Sequence, residues 1–104
     1  MITSLKFFFT FLFSMNLSTA VIIDVRTAEE WKTGHLENAV NLEWQNILEL
    51  SSSIAKDETI YLYCRSGNRS GKAANILIDN GFLNAINAGS ISEASKSLNK
   101  KIIN

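Results

Sequence analysis

The residues able to do chemistry are concentrated in one stretch, Cys64-Arg65-Ser66-Gly67-Asn68-Arg69-Ser70, which holds the single cysteine of the chain. A short loop of this kind can turn several backbone N–H groups toward one point and make an anion-binding nest. A helix starting in the loop would add its dipole. Gly67 supplies the conformational freedom that such a curl needs, and Asn68 also tolerates left-handed backbone. No acidic residue lies between Glu58 and Asp79, whereas Arg65, Arg69 and Lys72 all do. Cations and a helix N-terminus lower a thiol's pKa, so Cys64 is predicted to be largely thiolate at neutral pH. The chemistry that follows is nucleophilic attack on an anionic substrate. The competing reading is an inert cysteine capping a strand, because free cysteines often behave as small hydrophobes. The glycine and the two arginines that follow favour the nucleophile. With no second cysteine, an internal disulfide is excluded.

The elements around this loop predict how it is held. Thr59 to Tyr63 is rich in β-branched and aromatic residues and reads as a strand. Asn68 to Asn80 reads as a helix with Ala73, Ala74, Leu77 and Ile78 on its apolar face and Gly81 as its stop. Cys64 therefore sits at the carboxyl end of a strand, where open parallel sheets bind ligands. Upstream, Val21-Ile22-Ile23 reads as a short buried strand ending at Asp24. Thr27 and Glu30 have capping-box spacing for a short helix ending near Gly34. Ala39 to Leu42 predicts a strand, and Trp44, Ile47 and Leu48 predict a helix from Glu43 to about Ser53. Leu83 to Asn87 predicts a further strand and Ile91 to Lys100 a last helix. Strands alternating with helices imply an α/β fold, a mainly parallel central sheet flanked by helices.

The chain of 104 residues has room for one domain. Its start reads differently from the rest. Lys6 precedes an apolar stretch from Phe7 to Leu17, followed by Ser18-Thr19-Ala20, the layout of a cleavable secretory signal. Residues 1–20 are thus expected to be a signal peptide and 21–104 the single folded domain. An uncleaved anchor or a buried helix is the alternative, but the stretch is short for a bilayer span of about 20 residues. Without Lys6, nine Lys and Arg face ten Asp and Glu, a net charge near −1. That balance gives no case for nucleic acid or for stable membrane association after cleavage.

Four stretches, IIDVRTAEEW (22–31), GHLENAVNL (34–42), YCRSGNRSGKAA (63–74) and GFLNAINAG (81–89), give the chain a resemblance to the single-domain rhodaneses, the thiosulfate sulfurtransferases. With its leader-like start it is most similar to the periplasmic phage-shock-protein E type. The resemblance implies a rhodanese-like three-layer sandwich and a periplasmic protein. It implies that Cys64 carries sulfane sulfur as a persulfide, taking it from thiosulfate or a similar donor and passing it to cyanide or a thiol. It also implies that Arg65, Ser66, Gly67, Asn68 and Arg69 surround the sulfur, that Arg65 or Arg69 pairs with the sulfonate, and that no metal or organic cofactor is needed. Within the wider superfamily, phosphatases and arsenate reductases have a longer loop with five residues between Cys and Arg. Here the residue at that position is Ser70, which speaks against a phosphatase, as does Tyr63 in place of a preceding histidine. A non-enzymatic persulfide carrier delivering to one partner is the remaining alternative. Asn38 and Ser90 stand where the family usually has glycine.

Other residues invite roles that the sequence weighs against. His35, the lone histidine, reads as a turn brace rather than a base, since a preformed thiolate needs none. Asp24 and Arg26 fall on the same edge of the sheet as Cys64, and with Ser70 they are candidates to support the site; a mutual ion pair is the expected role of Asp24 and Arg26. Trp31 and Trp44 read as packing, and Glu29, Glu30, Lys100 and Lys101 as solvated ends.

Overall fold

The computed structural model describes residues 20–104. The signal-peptide reading of residues 1–20 therefore lies outside the described residues, Ala20 excepted. The elements are β1 (Val21–Asp24), α1 (Ala28–Lys32), β2 (His35–Leu36), β3 (Val40–Asn41), a 3₁₀ helix (Trp44–Leu50), β4 (Ile60–Cys64), α2 (Asn68–Asp79), β5 (Ala85–Ser90), α3 (Ile91–Leu98) and β6 (Ile102–Ile103). Four strands form one sheet in the order β3-β1-β4-β5, with every neighbouring pair parallel.

Alternation along the strands sends neighbouring residues to opposite faces. Ile23, Ile60, Leu62 and Cys64 pack under α2 and the 3₁₀ helix, together with Ile47, Ala73, Leu77 and Phe82. Ile22 and Tyr63 point the other way, into a smaller core with Leu36 and Ala94. The result is the predicted three-layer α/β arrangement, helices on both faces of a parallel sheet. Fully burying each of these aliphatic side chains contributes about 1.5–3 kcal/mol. The consecutive β-branched residues of β1 thereby serve two cores at once.

Several boundaries differ from expectation for identifiable reasons. The segment after Glu43 is 3₁₀ rather than α, and Glu43 makes no side-chain cap. The strand predicted over Leu83–Asn87 instead runs from Ala85 to Ser90. Its register against β4 slips between Leu62 and Tyr63, so that Leu62 pairs with Asn87 and Tyr63 with Gly89. This irregularity, with Gly89 at a φ of 88°, carries the strand through a residue that reads as a turn signal. A second, antiparallel pair joins β2 to β6 in the register His35 to Ile103. No local pattern announces that pair, because each strand has only two residues.

The two departures from family glycines have different outcomes. Asn38 does adopt left-handed backbone at a φ of 66°, as asparagine can. Ser90 has a φ of −74° and caps α3 instead, in a capping box with Glu93.

Candidate functional site

The carboxyl ends of β1 and β4 lie side by side, with Asp24 paired in register to Tyr63. At the end of β1 the chain closes on itself. Arg26 Nη2 lies 2.7 Å from Asp24 Oδ2. Arg26 Nε donates to Asp24 Oδ1 at 2.9 Å, and the Arg26 backbone N–H reaches the same oxygen at 2.9 Å. Nη2 also donates to the carbonyl of Gly34 at 2.6 Å. Asn41 Nδ2 satisfies the carbonyls of Asp24 and Arg26. Asp24 is 0 % exposed and Arg26 6 %. The hydrogen bonds to Asp24 outweigh burial and hold the Arg26 guanidinium above its ordinary pKa.

At the end of β4, Cys64 is 0 % exposed and packs with the larger core. Its sulfur is nonetheless not in apolar surroundings alone. The Gly67 N–H donates to Sγ at 3.0 Å, and Ser70 Oγ lies 3.4 Å from Sγ. Burial pushes the thiol up. Hydrogen bonds from the Ser70 hydroxyl and from the N–H groups of Ser70, Ser66 and Gly67 outweigh it and bring the thiol down to about 7. The lowering predicted from the sequence is present; hydroxyl and backbone donors are its leading causes, and the Arg69 guanidinium also attracts the thiolate. Gly67 makes the curl possible, with a φ of 97° at the N-cap of α2. A Cβ there would lie 3.3 Å from Gly89 Cα. Asn68 is helical and does not use the left-handed backbone that it tolerates, since Asn38 and Asn99 are the non-glycine residues with positive φ among those described.

The arginines of the loop separate. Arg69 forms a two-pronged ion pair with Glu30, at 2.8 Å and 3.0 Å. The bond to Arg69 is the main cause that holds the Glu30 carboxyl at about 2, with further help from the Thr27 cap. Glu30 is therefore not the solvated end that the sequence suggests. It closes the Thr27 capping box and ties α1 to the loop across 39 positions of sequence. Arg65 is exposed, as are Ser66 and Asn68. Among the described residues Arg65 makes no side-chain hydrogen bond or ion pair. Lys72 lies over the Trp44 ring, 5.1 Å from its centroid.

His35 takes the structural part assigned to it. Its ring stacks on Trp31 at 3.5 Å between centroids, and Nδ1 lies 3.0 Å from the Trp31 carbonyl. Tyr63 points away from the loop, where its hydroxyl accepts the Leu36 N–H at 2.9 Å and anchors β2. One residue at the site has no sequence signal. Asn87 on β5 donates through Nδ2 to the Gly67 carbonyl at 3.0 Å and accepts from the Ser70 hydroxyl at 2.7 Å. It stands 17 and 20 positions from these partners, and no local motif links them.

Residues 13–97 match the rhodanese-like domain family. The thiosulfate sulfurtransferase PspE of Escherichia coli (strain K12) is 32% identical over 73 residues, covering 68% of this chain and 70% of that protein. The adenylyltransferase and sulfurtransferase UBA4 of Candida albicans is 36% identical over 77 residues, 66% of this chain but 18% of the relative. The chain thus spans under a fifth of that larger protein's length. A solved rhodanese with anions from E. coli superposes with a TM-score of 0.67 at 28% identity, over 72% of this chain and 91% of that one. The chain belongs to the rhodanese-like family.

Proposed function

We propose that this rhodanese-like chain is an exported sulfurtransferase that moves sulfane sulfur from thiosulfate, or a similar anionic donor, to a thiol or cyanide through a persulfide on Cys64. The observation that carries the reading is the convergence of the Gly67 N–H and the Ser70 hydroxyl on a thiol brought down to about 7. These donors stabilise negative charge on the sulfur, which is the reactive form. The thiolate attacks the outer sulfur of thiosulfate. A Cys64 Sγ–S bond forms, the S–S bond of the donor breaks, and its electron pair leaves with sulfite. An acceptor thiolate or cyanide then attacks the outer sulfur, and the electron pair of the Sγ–S bond returns to Cys64. No oxidant, metal or cofactor enters either step.

Arg65 is the residue we assign to the donor's sulfonate, because Arg69 is committed to Glu30. Arg69 then shapes the loop, and Ser66, Gly67 and Asn68 line it. Export follows from the leader-like residues 1–20, which would deliver the folded domain to the periplasm. The test is thiocyanate formation from thiosulfate and cyanide by the purified chain. Turnover that survives Cys64→Ser would sink the reading, and a carrier without turnover would still gain one sulfur on Cys64 by mass.

A further inference from the structure

Two groups against Cys64 Sγ, the Gly67 N–H at 3.0 Å and the Ser70 hydroxyl at 3.4 Å, belong to residues held by one amide that lies outside the loop. Asn87 Nδ2 clamps the carbonyl of Gly67. Asn87 Oδ1 accepts from the Ser70 hydroxyl and also from the Gly89 N–H at 3.0 Å. Asn87 stands within β5, directly before the irregular register. The room for the amide is also specific: a Cβ on Gly71 would lie 3.2 Å from Asn87 Nδ2. An alanine at position 71 would crowd the clamp.

We propose that Asn87 is a positioning residue for Cys64, aiming the Gly67 N–H at the sulfur and holding the Ser70 hydroxyl beside it by fixing both to β5. This rests on the reading of Cys64 as the reacting sulfur. The protons balance in each state. In the thiol, the S–H donates to Ser70 Oγ and the hydroxyl proton goes to Asn87 Oδ1. In the thiolate, the hydroxyl proton turns to Sγ while Oδ1 keeps the Gly89 N–H. In the persulfide the inner sulfur is uncharged, a weak acceptor, and the hydroxyl proton returns to Oδ1. Asn87 therefore holds Ser70 Oγ beside the sulfur in the thiol and the persulfide, and in the thiolate it releases the hydroxyl proton to Sγ while its clamp on Gly67 persists.

The surrounding charges are Arg65 in the loop, Arg69 on α2 with Glu30 on α1, Asp24 and Arg26 at the end of β1, and Glu93 on α3, which lines the same surface cavity as Asn87. Among the described residues none of them hydrogen-bonds to the Asn87 amide, so its effect on Cys64 passes through Gly67 and Ser70.

The test is the pH profile of Cys64 alkylation in the full chain, for Asn87→Ala, Asn87→Asp, Ser70→Ala and the Ser70→Ala/Asn87→Ala double variant. Asn87→Ala is expected to raise the midpoint, slowing alkylation below it by about 3- to 10-fold, since one pH unit is tenfold in thiolate. Asn87→Asp, which cannot donate to Gly67 and adds a negative charge, is expected to raise it further. It is close to isosteric and carries the test if the alanine variant unfolds. In the Ser70→Ala background the Asn87→Ala shift should shrink. An unchanged midpoint in folded protein would overturn the proposal, as would an undiminished shift in the Ser70→Ala background. A lowered midpoint would also overturn it, because Asn87 would then be competing for the Ser70 proton instead of aiming it. Alkylation needs no sulfur donor, so this result and the turnover result can fail separately.

Discussion

The ends of β1 and β4 are neighbours in one sheet, and each combines an ionisable side chain with an arginine two residues or fewer away. At β1 every charge is answered within the chain. Arg26 is spent on Asp24 and on the Gly34 carbonyl, and both side chains are buried. At β4 the donors converge on a thiol instead, and Arg65 is left to solvent. Similar residue types at equivalent sheet positions therefore do different work. A charge whose partners are all supplied by the fold is a brace. A cation without a partner among the described residues, next in sequence to an atom stabilised as an anion, is where we propose that a ligand binds.

This contrast breaks first at its extremes. Cys64→Ser should reduce sulfur transfer to background while leaving unfolding in urea within about 1 kcal/mol, because the hydroxyl keeps a hydrogen-bonding atom near the sulfur's position. Asp24→Ala should do the reverse. It leaves Arg26 buried without its carboxylate, at a cost of about 3–5 kcal/mol. That is a large share of the stability of so small a domain, and the loss would appear as a lower urea midpoint. An Asp24→Ala protein with unchanged unfolding would end the distinction between brace and site.

Arg65→Ala probes the open side. A charge-assisted contact with a sulfonate contributes about 1.5–3 kcal/mol, so kcat/KM for thiosulfate should fall about tenfold or more, with unfolding shifted by less than about 0.5 kcal/mol. An equal loss of stability would make Arg65 a second brace. Smaller still is the titration of the thiol itself. Wild-type alkylation should show a midpoint near 7, against about 8.5 for a free cysteine. A midpoint at the free value would remove the basis for calling the β4 end an anion site.

The smallest effect concerns the link between the two regions. Glu30 sits at about 2, below its ordinary 4.5. A depressed carboxyl pKa adds stability that is fully present above 4.5 and is lost as pH falls from there toward 2. Glu30→Gln should therefore be less stable than wild type at pH 7, and the difference should close over that acid window. Urea unfolding at a series of pH values measures it, and a difference independent of pH would assign Glu30 to packing rather than charge.

Much of this was legible in the sequence because the signals are local. Thr27 and Glu30 are three residues apart, and their capping box forms as the spacing predicts. Val21 to Asp24 and Ile60 to Cys64 announce themselves by β-branched and aromatic runs. The sulfur loop lies within seven consecutive residues, so its glycine, its hydroxyls and its cations can be read together. The 3₁₀ form of Trp44–Leu50 was not legible, since apolar spacing is similar in both helix types over so short a span.

By itself, then, the sequence determined the order of the four sheet strands and the helices between them, the place of Cys64 at a strand end and the family of the chain. Each of these depends on residues close together along the backbone. Only the tertiary structure decided which loop arginine has no partner among the described residues. Glu30 captures Arg69 from 39 positions away, and this leaves Arg65 as the open cation. It likewise decided that the thiol is lowered by N–H and hydroxyl donors, and that Asn87 stands behind them. The reason is physical: hydrogen bonds and ion pairs are made by atoms within about 3 Å of one another, and which distant side chains come that close is set by packing.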